Sequence, residues 1–198
     1  MMLGNFKLYL QKNALISDEQ FELLTKDLKA EKVAKNTVLL RPGEVCNHAF
    51  FVEKGLLRSY TIDQAGKEHV IQFGPENWIV SDRSSSFFNS PSDLYIDAIE
   101  ESDIVYIDKN FLDKTSDMSA TFRQNNEKAL HNHIRQLQKR INLLLSATAE
   151  QRYMDFIQLY PDLMLRVPQW MIASYLGVTP ESLSRVRKEL ANKHFKSR

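Results

Sequence analysis

Residues 169–188 have the sequence QWMIASYLGVTPESLSRVRK, which is typical of two short helices joined by a sharp turn. Gly177 lies where such a turn needs a positive φ angle, which glycine adopts without steric cost. Thr179 is suited to cap the second helix, and Pro180 occupies its first position, the favoured place for proline. Pro168 suits the first turn of the first helix. The stretch therefore predicts a helix-turn-helix.

The two predicted helices have one apolar side and one polar side. Ala173 is small where the helices would cross, and the other core positions are Ile172, Leu176, Val178, Leu183 and Val186. The exposed face of the second helix contains Glu181, Ser182, Arg185 and Lys188. Arginine can donate two hydrogen bonds to guanine, glutamate can accept one from cytosine, and serine or lysine can bind phosphates. The pattern predicts DNA binding, and an ordinary helical hairpin is the structural alternative.

A long helix is predicted upstream, from about Asp117 to Leu145, because no glycine or proline occurs between Asp117 and Tyr160. Its apolar residues form two series with a spacing of seven. Leu130, Leu137 and Leu144 form one series, and Ile134 and Ile141 form the other between them. Polar residues flank this seam, so only a narrow stripe needs burial, as in coiled coils. We predict that the seam is a dimer interface; packing of the helix on its own domain is the alternative.

The first half of the chain contains short segments rich in β-branched and aromatic residues. They are Thr37–Leu40, Ala49–Val52, Leu56–Ile62, His69–Phe73, Leu94–Ile99 and Ile104–Ile107. Four glycines lie at the turns between them, Gly43, Gly55, Gly66 and Gly74. Many short strands at close spacing predict a jelly roll. Ser17 and Gln20 form a capping box that predicts a helix before the strands.

The composition is that of a globular protein, with 43% apolar and 26% charged residues among 198. It excludes a collagen-like or wholly disordered chain, and the length fits one large domain or two small ones. No apolar run approaches the roughly 20 residues of a membrane-spanning helix, and no signal-peptide core follows Met1. We therefore predict a cytoplasmic protein without membrane contact. Cys46 is the single cysteine, which excludes an internal disulfide, a zinc cage and an iron–sulfur cluster.

Charge is distributed unevenly along the chain. Residues 1–134 contain 15 Lys and Arg against 20 Asp and Glu, whereas residues 135–198 contain 11 against 5. A basic C-terminal part that also contains the helix-turn-helix favours a nucleic-acid partner.

With these three parts in this order, the whole chain resembles the Crp/Fnr family of bacterial transcription regulators. The segments VLLRPGE at 38–44 and FFVEKG at 50–55 resemble the family's cyclic-nucleotide-binding β-roll. The resemblance implies an α+β fold with a sensor β-roll at residues 1–115, a dimerisation helix at 116–146 and a helix-turn-helix domain at 147–198. It also implies a homodimer that binds inverted-repeat DNA and contacts RNA polymerase.

The resemblance assigns roles to the second helix of the motif. Family members commonly place Arg, Glu and Arg on base edges, and the matching positions are Pro180, Glu181 and Arg185. Because the first arginine is missing, we expect a different target site. The full predicted DNA-binding set is Gln169, Thr179, Pro180, Glu181, Ser182, Arg185 and Lys188. We expect no β-hairpin wing of the family's kind, because only Ala191–Arg198 remain after the predicted second helix.

The cyclic AMP site of the family is altered. Members that bind this nucleotide share a Gly-Glu pair and a later Arg-Ser or Arg-Thr pair, and here Val80–Ser81 and Ser92–Asp93 occupy those places. Because the Asp93 carboxylate would repel a phosphate, we predict that cyclic AMP does not bind in the usual way. An unidentified effector would use Ser81, Arg83, Ser92 and Asp93.

The sequence leaves two alternative functions, a metal-dependent enzyme and a protein-interaction module. Jelly rolls also form metal-dependent enzymes, but His131 and His133 lie two residues apart on a predicted helix and do not face each other. With no nucleophile–base pair and no phosphate-binding glycine loop, we predict no enzyme, no catalytic residue, no metal and no cofactor. The second alternative is a protein-interaction module whose helix-turn-helix is vestigial.

Overall fold

The computed structural model describes residues 3–196, and the chain forms nine helices and eight strands within that range. The strands are β1 (Ala30–Val33), β2 (Val38–Leu40), β3 (Ala49–Lys54), β4 (Leu57–Ile62), β5 (Glu68–Gly74), β6 (Ile79–Val80), β7 (Tyr95–Ala98) and β8 (Ser102–Ile107). The helices are α1 (Gly4–Ala14), α2 (Asp18–Thr25), α3 (Arg83–Phe88), α4 (Lys109–Met118), α5 (Ala120–Ser146), α6 (Ala149–Leu159), α7 (Leu163–Arg166), α8 (Gln169–Leu176) and α9 (Pro180–Lys196). The predicted α+β fold is confirmed.

The strands form two four-stranded sheets, in the orders β1-β8-β3-β6 and β2-β7-β4-β5. The pairings within them are antiparallel, with Phe51 opposite Val105 and Leu57 opposite Ala98. Apolar residues from both sheets, among them Phe50, Leu57 and Ile104, form one shared core. This is the predicted jelly roll. The sequence missed β1, whose AEKV segment is half charged, and β6, which has only two residues.

A second core covers the other face of the first sheet. Here α1, α2 and α4 pack their aromatic and aliphatic residues against Phe51 and Val105. The capping box of α2 is confirmed, with the Gln20 backbone N–H donating to Ser17 Oγ. Helix α1 was not predicted because its N-terminus is capped by a residue far away in the chain rather than by a neighbouring side chain. The buried Glu53 carboxylate accepts hydrogen bonds from the backbone N–H groups of Asn5 at 2.7 Å and Phe6 at 2.8 Å.

The long helix begins at Ala120 rather than at Asp117 as predicted. Ser119 has an extended backbone, with φ −142° and ψ 108°, and separates α5 from α4. Its hydroxyl accepts a hydrogen bond from the Phe122 N–H at 3.0 Å and so caps α5. The predicted length and position of the helix are otherwise confirmed, since α5 has 27 residues and ends at Ser146.

The chain packs as two compact units. One contains the residues up to Thr61 together with Ile71–His131, and the other contains Ile62–Val70 together with the residues from Asn132 onward. The second unit therefore combines the tip of the β4–β5 hairpin with the C-terminal helices. The predicted division into a sensor domain, a dimerisation helix and a DNA-binding domain, with boundaries after residues 115 and 146, stays a prediction.

Candidate nucleic-acid interface

Helices α8 and α9 form the predicted helix-turn-helix. Gly177 ends α8 in the left-handed region, with φ 65° and ψ 38°, and the Val178 N–H donates to the Ala173 carbonyl at 3.0 Å. A Cβ atom at Gly177 would lie 3.1 Å from Leu144 Cδ2, so both the φ angle and the space favour glycine. Pro168 lies at the N-cap of α8, just before the first turn in which it was expected.

The start of α9 is capped as predicted. Thr179 Oγ1 accepts a hydrogen bond from the Ser182 N–H at 3.2 Å, and Pro180 is the first residue of the helix. Glu181 follows, and the pKa of its carboxyl is lowered by hydrogen bonds to its own backbone N–H and to Thr179. Glu181 is therefore ionised at neutral pH and can only accept hydrogen bonds.

The apolar side of the motif is buried as predicted, with Val178 half-buried and the other core positions fully buried, namely Ile172, Ala173, Leu176, Leu183 and Val186. Helix α6 completes this core. The rings of Phe156 and Tyr175 lie 5.5 Å apart, and α6 begins with a capping box, in which Thr148 accepts from the Gln151 N–H.

The outer face of α9 is polar and exposed. Glu181, Arg185 and Lys188 lie on it at spacings of four and three residues, which places them on one side of the helix. Ser184 is exposed on the same side, one turn before Lys188. It was not among the predicted site residues, although its spacing of four residues from Lys188 indicates that the two share a face of the helix. Ser182, which was predicted, is half-buried and takes part in the cap. The face thus offers a carboxylate, a guanidinium, a hydroxyl and an ammonium group in a row.

The remaining predicted DNA-binding residues lie at the two helix starts. Gln169 begins α8, and Thr179 and Pro180 begin α9; all three are exposed. A helix N-terminus has a partial positive charge that favours phosphates. At α9 this charge acts without a donor from Pro180, which has no N–H.

Two arginines hold the end of α8. Arg140 of α5 donates from Nη2 to the Tyr175 carbonyl at 3.0 Å, and Arg152 of α6 donates from Nη1 to the Leu176 carbonyl at 2.8 Å. Cations at a helix C-terminus satisfy its free carbonyls and oppose its dipole. Burial lowers the pKa of the Arg140 guanidinium. Arg140 is one of the polar residues that flank the seam, and nothing local in the sequence indicates its contact with α8.

The tip of the β4–β5 hairpin is hydrogen-bonded to the same helix. Ser174 Oγ donates to the Glu68 carbonyl at 2.8 Å and accepts from the Val70 N–H at 3.0 Å. Arg140 Nη2 also donates to the Val70 carbonyl at 2.9 Å. Ser174 therefore pairs with the beginning of β5 much as a neighbouring strand would.

The apolar seam of α5 is only half covered in the single chain. The exposed fractions are 40% at Leu130, 43% at Ile134, 40% at Leu137, 54% at Ile141 and 40% at Leu144. Large apolar side chains in a row at this exposure are typical of a surface that a partner covers.

The candidate effector residues lie around α3, a helix that the sequence pattern did not predict. Asp82 caps this helix by accepting from the Ser85 N–H at 3.1 Å, and Ser92 Oγ donates to the same carboxylate at 2.7 Å. Ser92 is buried, Ser81 is half-buried, and Arg83 and Asp93 are exposed. The hydrogen bond to Asp82 orients the Ser92 hydroxyl within the protein.

Within residues 3–196, no group of three or more His, Cys, Asp or Glu side chains is arranged to hold a metal ion. Among the same residues, no helix combines the length and the apolar character that a membrane span requires.

Comparisons with known proteins agree with this architecture. The sequence model of the family "Cyclic nucleotide-binding domain" matches residues 30–117. The anaerobic regulatory protein of Pasteurella multocida is 26% identical over 183 residues, which cover 86% of this chain and 66% of that protein. This chain thus spans about two thirds of that relative's length.

Two solved structures have the same fold. FixK2 from Bradyrhizobium japonicum superposes with a TM-score of 0.73 at 19% identity, covering 84% of this chain and 86% of that one. A mutant of CooA from Carboxydothermus hydrogenoformans gives a TM-score of 0.70 at 22% identity, covering 94% of this chain and 84% of that one.

Proposed function

We propose that this chain, a homologue of the Crp/Fnr-type regulators whose residues 30–117 match the cyclic nucleotide-binding domain, is a sequence-specific DNA-binding regulator of transcription. The observation that supports this most directly is the exposed polar face of α9, which projects from a capped and well-packed helix-turn-helix. No catalytic role is proposed, and the homologues are transcription regulators.

The base contacts are assigned to Glu181 and Arg185. Both are exposed on one side of α9 within its first two turns, the part of a recognition helix that enters the major groove. Arg185 would donate to guanine, and the ionised Glu181 would accept from cytosine. Gln169, Thr179, Pro180, Ser182 and Lys188 would position the helix on the DNA backbone.

The regulator is proposed to act as a homodimer through the seam of α5. A second copy would cover the half-exposed leucines and isoleucines with the same residues, as a two-fold axis requires. Two recognition helices would then enter successive major grooves about 34 Å apart, and the target would be an inverted repeat.

The remaining partners follow from the family. Contact with RNA polymerase is proposed from the resemblance alone. A regulator of bacterial genes works in the cytoplasm, so we propose this location. An effector would act by binding the DNA-competent arrangement more tightly than the alternative.

Cyclic AMP is not proposed as that effector. Ser92 donates its hydroxyl to Asp82, and Asp93 adds a second carboxylate where the family pairs arginine with the nucleotide phosphate. Like charges repel, so a phosphate would bind weakly there. Calorimetric titration of the purified protein tests this, and low-micromolar binding of cyclic AMP would contradict it.

The proposed function is tested by selecting bound duplexes from a random pool at moderate salt and sequencing them. We expect an enriched inverted repeat, and we expect the double variant Glu181→Ala with Arg185→Ala to lose that enrichment. The selection is repeated with a metabolite extract of bacterial cells, which would supply a required effector. If neither selection enriches any sequence, the proposal is wrong and the helix-turn-helix does not recognise DNA.

A further inference from the structure

Two charged residues continue the seam of α5 toward the N-terminus of the helix. Arg123 lies seven residues before Leu130, and Glu127 lies seven residues before Ile134. They therefore occupy the next positions of the two series that form the seam, and both are exposed in the single chain. A second copy that pairs along the seam and continues to follow α5 reaches these two residues next.

The first turns of α5 are held by the core of their own unit. Phe122 is 4% exposed and packs into the core formed with α1, α2 and α4, and the Asn125 side chain donates to the Asn13 carbonyl at 2.9 Å. Each residue of a helix is rotated by about 100° from the one before, so Arg123 and Glu127 lie at least about 100° around the helix from Phe122. The two charged residues therefore lie on a face that the core of their own unit does not cover.

The charges of Arg123 and Glu127 do not neutralise each other within the helix. In the part of the chain that the structure describes, neither side chain takes part in an ion pair or a hydrogen bond. An arginine four residues before a glutamate is also the less favourable order for an ion pair within one helix. Both charged groups are therefore available to a partner.

The direction in which two copies pair decides what these charges meet. In a parallel pair, each seam residue inserts between residues of the facing helix in its own and the adjacent layers. Glu127 then lies between Arg123 and Leu130 of the second copy, and the two-fold axis repeats the contact. Two carboxylates and two guanidinium groups surround the axis, and their charges cancel. In an antiparallel pair, the same residues would lie opposite the other end of the seam, where Ile141 and Leu144 offer no charge.

We propose that Arg123 and Glu127 form a charged layer of the dimer interface, in which each arginine pairs with the glutamate of the second copy and fixes a parallel register. The inference rests on the proposed function, because it deepens the homodimer assigned to the seam. The apolar seam repeats every seven residues, so it does not by itself select one register or one direction. Polar residues within a seam make that selection, since they are satisfied in one arrangement only.

The test is a competition between homodimers and mixed dimers of two full-length variants. Arg123→Glu gives a copy with two acidic residues in the layer, and Glu127→Arg gives a copy with two basic residues. Equal amounts, one labelled with a heavy nitrogen isotope, are mixed at low salt, and native mass spectrometry measures the dimers once their composition is constant. The control mixture is Lys128→Glu with Gln136→Arg, which places opposite charges at exposed positions of α5 outside the seam. Circular dichroism checks folding, and Arg123→Gln with Glu127→Gln replaces a variant pair that does not fold.

We expect mixed dimers to rise from about half of all dimers, the share for random pairing, to about three quarters or more, because only mixed dimers place acidic residues opposite basic ones. The control mixture should stay at about half, and added salt should lower the preference in the test mixture. If the test mixture gives the same share as the control or a smaller one, the inference is wrong while the dimer assigned to the seam stands. If the wild type is a monomer in the same measurement, both are wrong, and the selection of bound duplexes still tests DNA recognition separately.

Discussion

The guanidinium carbon of Arg140 lies 3.9 Å from the centre of the Tyr175 ring, and the same side chain donates to the Tyr175 carbonyl at 3.0 Å. A third contact joins it to the Val70 carbonyl at 2.9 Å. One arginine of α5 therefore contacts both the end of α8 and the beginning of β5. A guanidinium can donate from its edge while its flat face stacks on a ring, whereas an ammonium group has three donors but no flat face.

Replacement of Arg140 should destabilise the C-terminal unit. Arg140→Ala leaves two carbonyls without this donor and removes the contact with the ring, so we expect a loss of about 2–3 kcal/mol in the free energy of unfolding. Arg140→Lys keeps the charge and should lose part of that amount. Urea unfolding followed by far-ultraviolet circular dichroism measures both. Arg135→Ala, at an exposed position of the same helix, is the control, and an equal effect of the two alanine variants would contradict the expectation.

Arg185→Ala should weaken binding to the selected duplex by about 1–3 kcal/mol and relax the preference at one base position in each half-site. The reason is that a bidentate contact to guanine is lost for the preferred base only. Titration of the selected duplex and its single-base variants measures the effect. An equal loss of affinity for all duplexes would mean that Arg185 binds phosphate instead.

Lys188→Ala should give the complementary result. Lys188 lies on the exposed face of α9, three residues beyond Arg185, where we assign it to the DNA backbone. We expect an equal loss of affinity across duplexes and a salt slope lower by about one for each subunit. Anisotropy titrations at several salt concentrations measure this, and a change in base preference would show that Lys188 contacts a base.

A charge in the seam of α5 should separate the dimer. In Leu137→Glu a carboxylate would be buried without a partner, which costs about 3–5 kcal/mol and raises the dissociation constant by at least about 100-fold. Sedimentation at micromolar concentration should show dimers for the wild type and monomers for the variant. Gln138→Glu adds the same charge beside the seam and should remain dimeric. A dimeric Leu137→Glu variant would place the interface elsewhere.

Cys46 should react slowly with thiol reagents while the protein is folded. The side chain is buried, and burial raises the pKa of the thiol above its usual value, so less thiolate is present at pH 8. Alkylation should therefore be slower in the folded protein than in urea, where the thiol is exposed and ionises at its usual pKa. The unfolded chain ionises first as the pH rises, so this group lowers stability above the usual thiol pKa. Equal rates in the folded and unfolded protein would contradict the expectation.

The helix-turn-helix could be predicted from the sequence because its signals are local. Gly177, Thr179 and Pro180 act through their own backbone angles or through hydrogen bonds within four residues. The same holds for the capping boxes at Ser17 and Thr148. Such signals can be recognised in a single sequence because the interacting residues are close together in the chain.

The features that were missed depend on residues far apart in the chain. Helix α1 is capped by Glu53, nearly fifty positions away, and no rule of spacing indicates this pair. Ser174 was part of the predicted motif, but its two bonds to the hairpin join residues more than one hundred positions apart. Helix α3 was not predicted, because a run of three serines is not typical of a helix and the carboxylate that caps it, Asp82, is itself bonded to the more distant Ser92.

Helix α5 contains the seam residues Leu137, Ile141 and Leu144, with Arg140 at the edge of the seam, all within about two turns. A segment this short is torsionally stiff, so Arg140 turns with the seam. If two copies pair along α5 as proposed, the geometry of that pairing would also set the direction in which each Arg140 holds α8. The distance between the two α9 helices would then depend on how the two chains pair along α5.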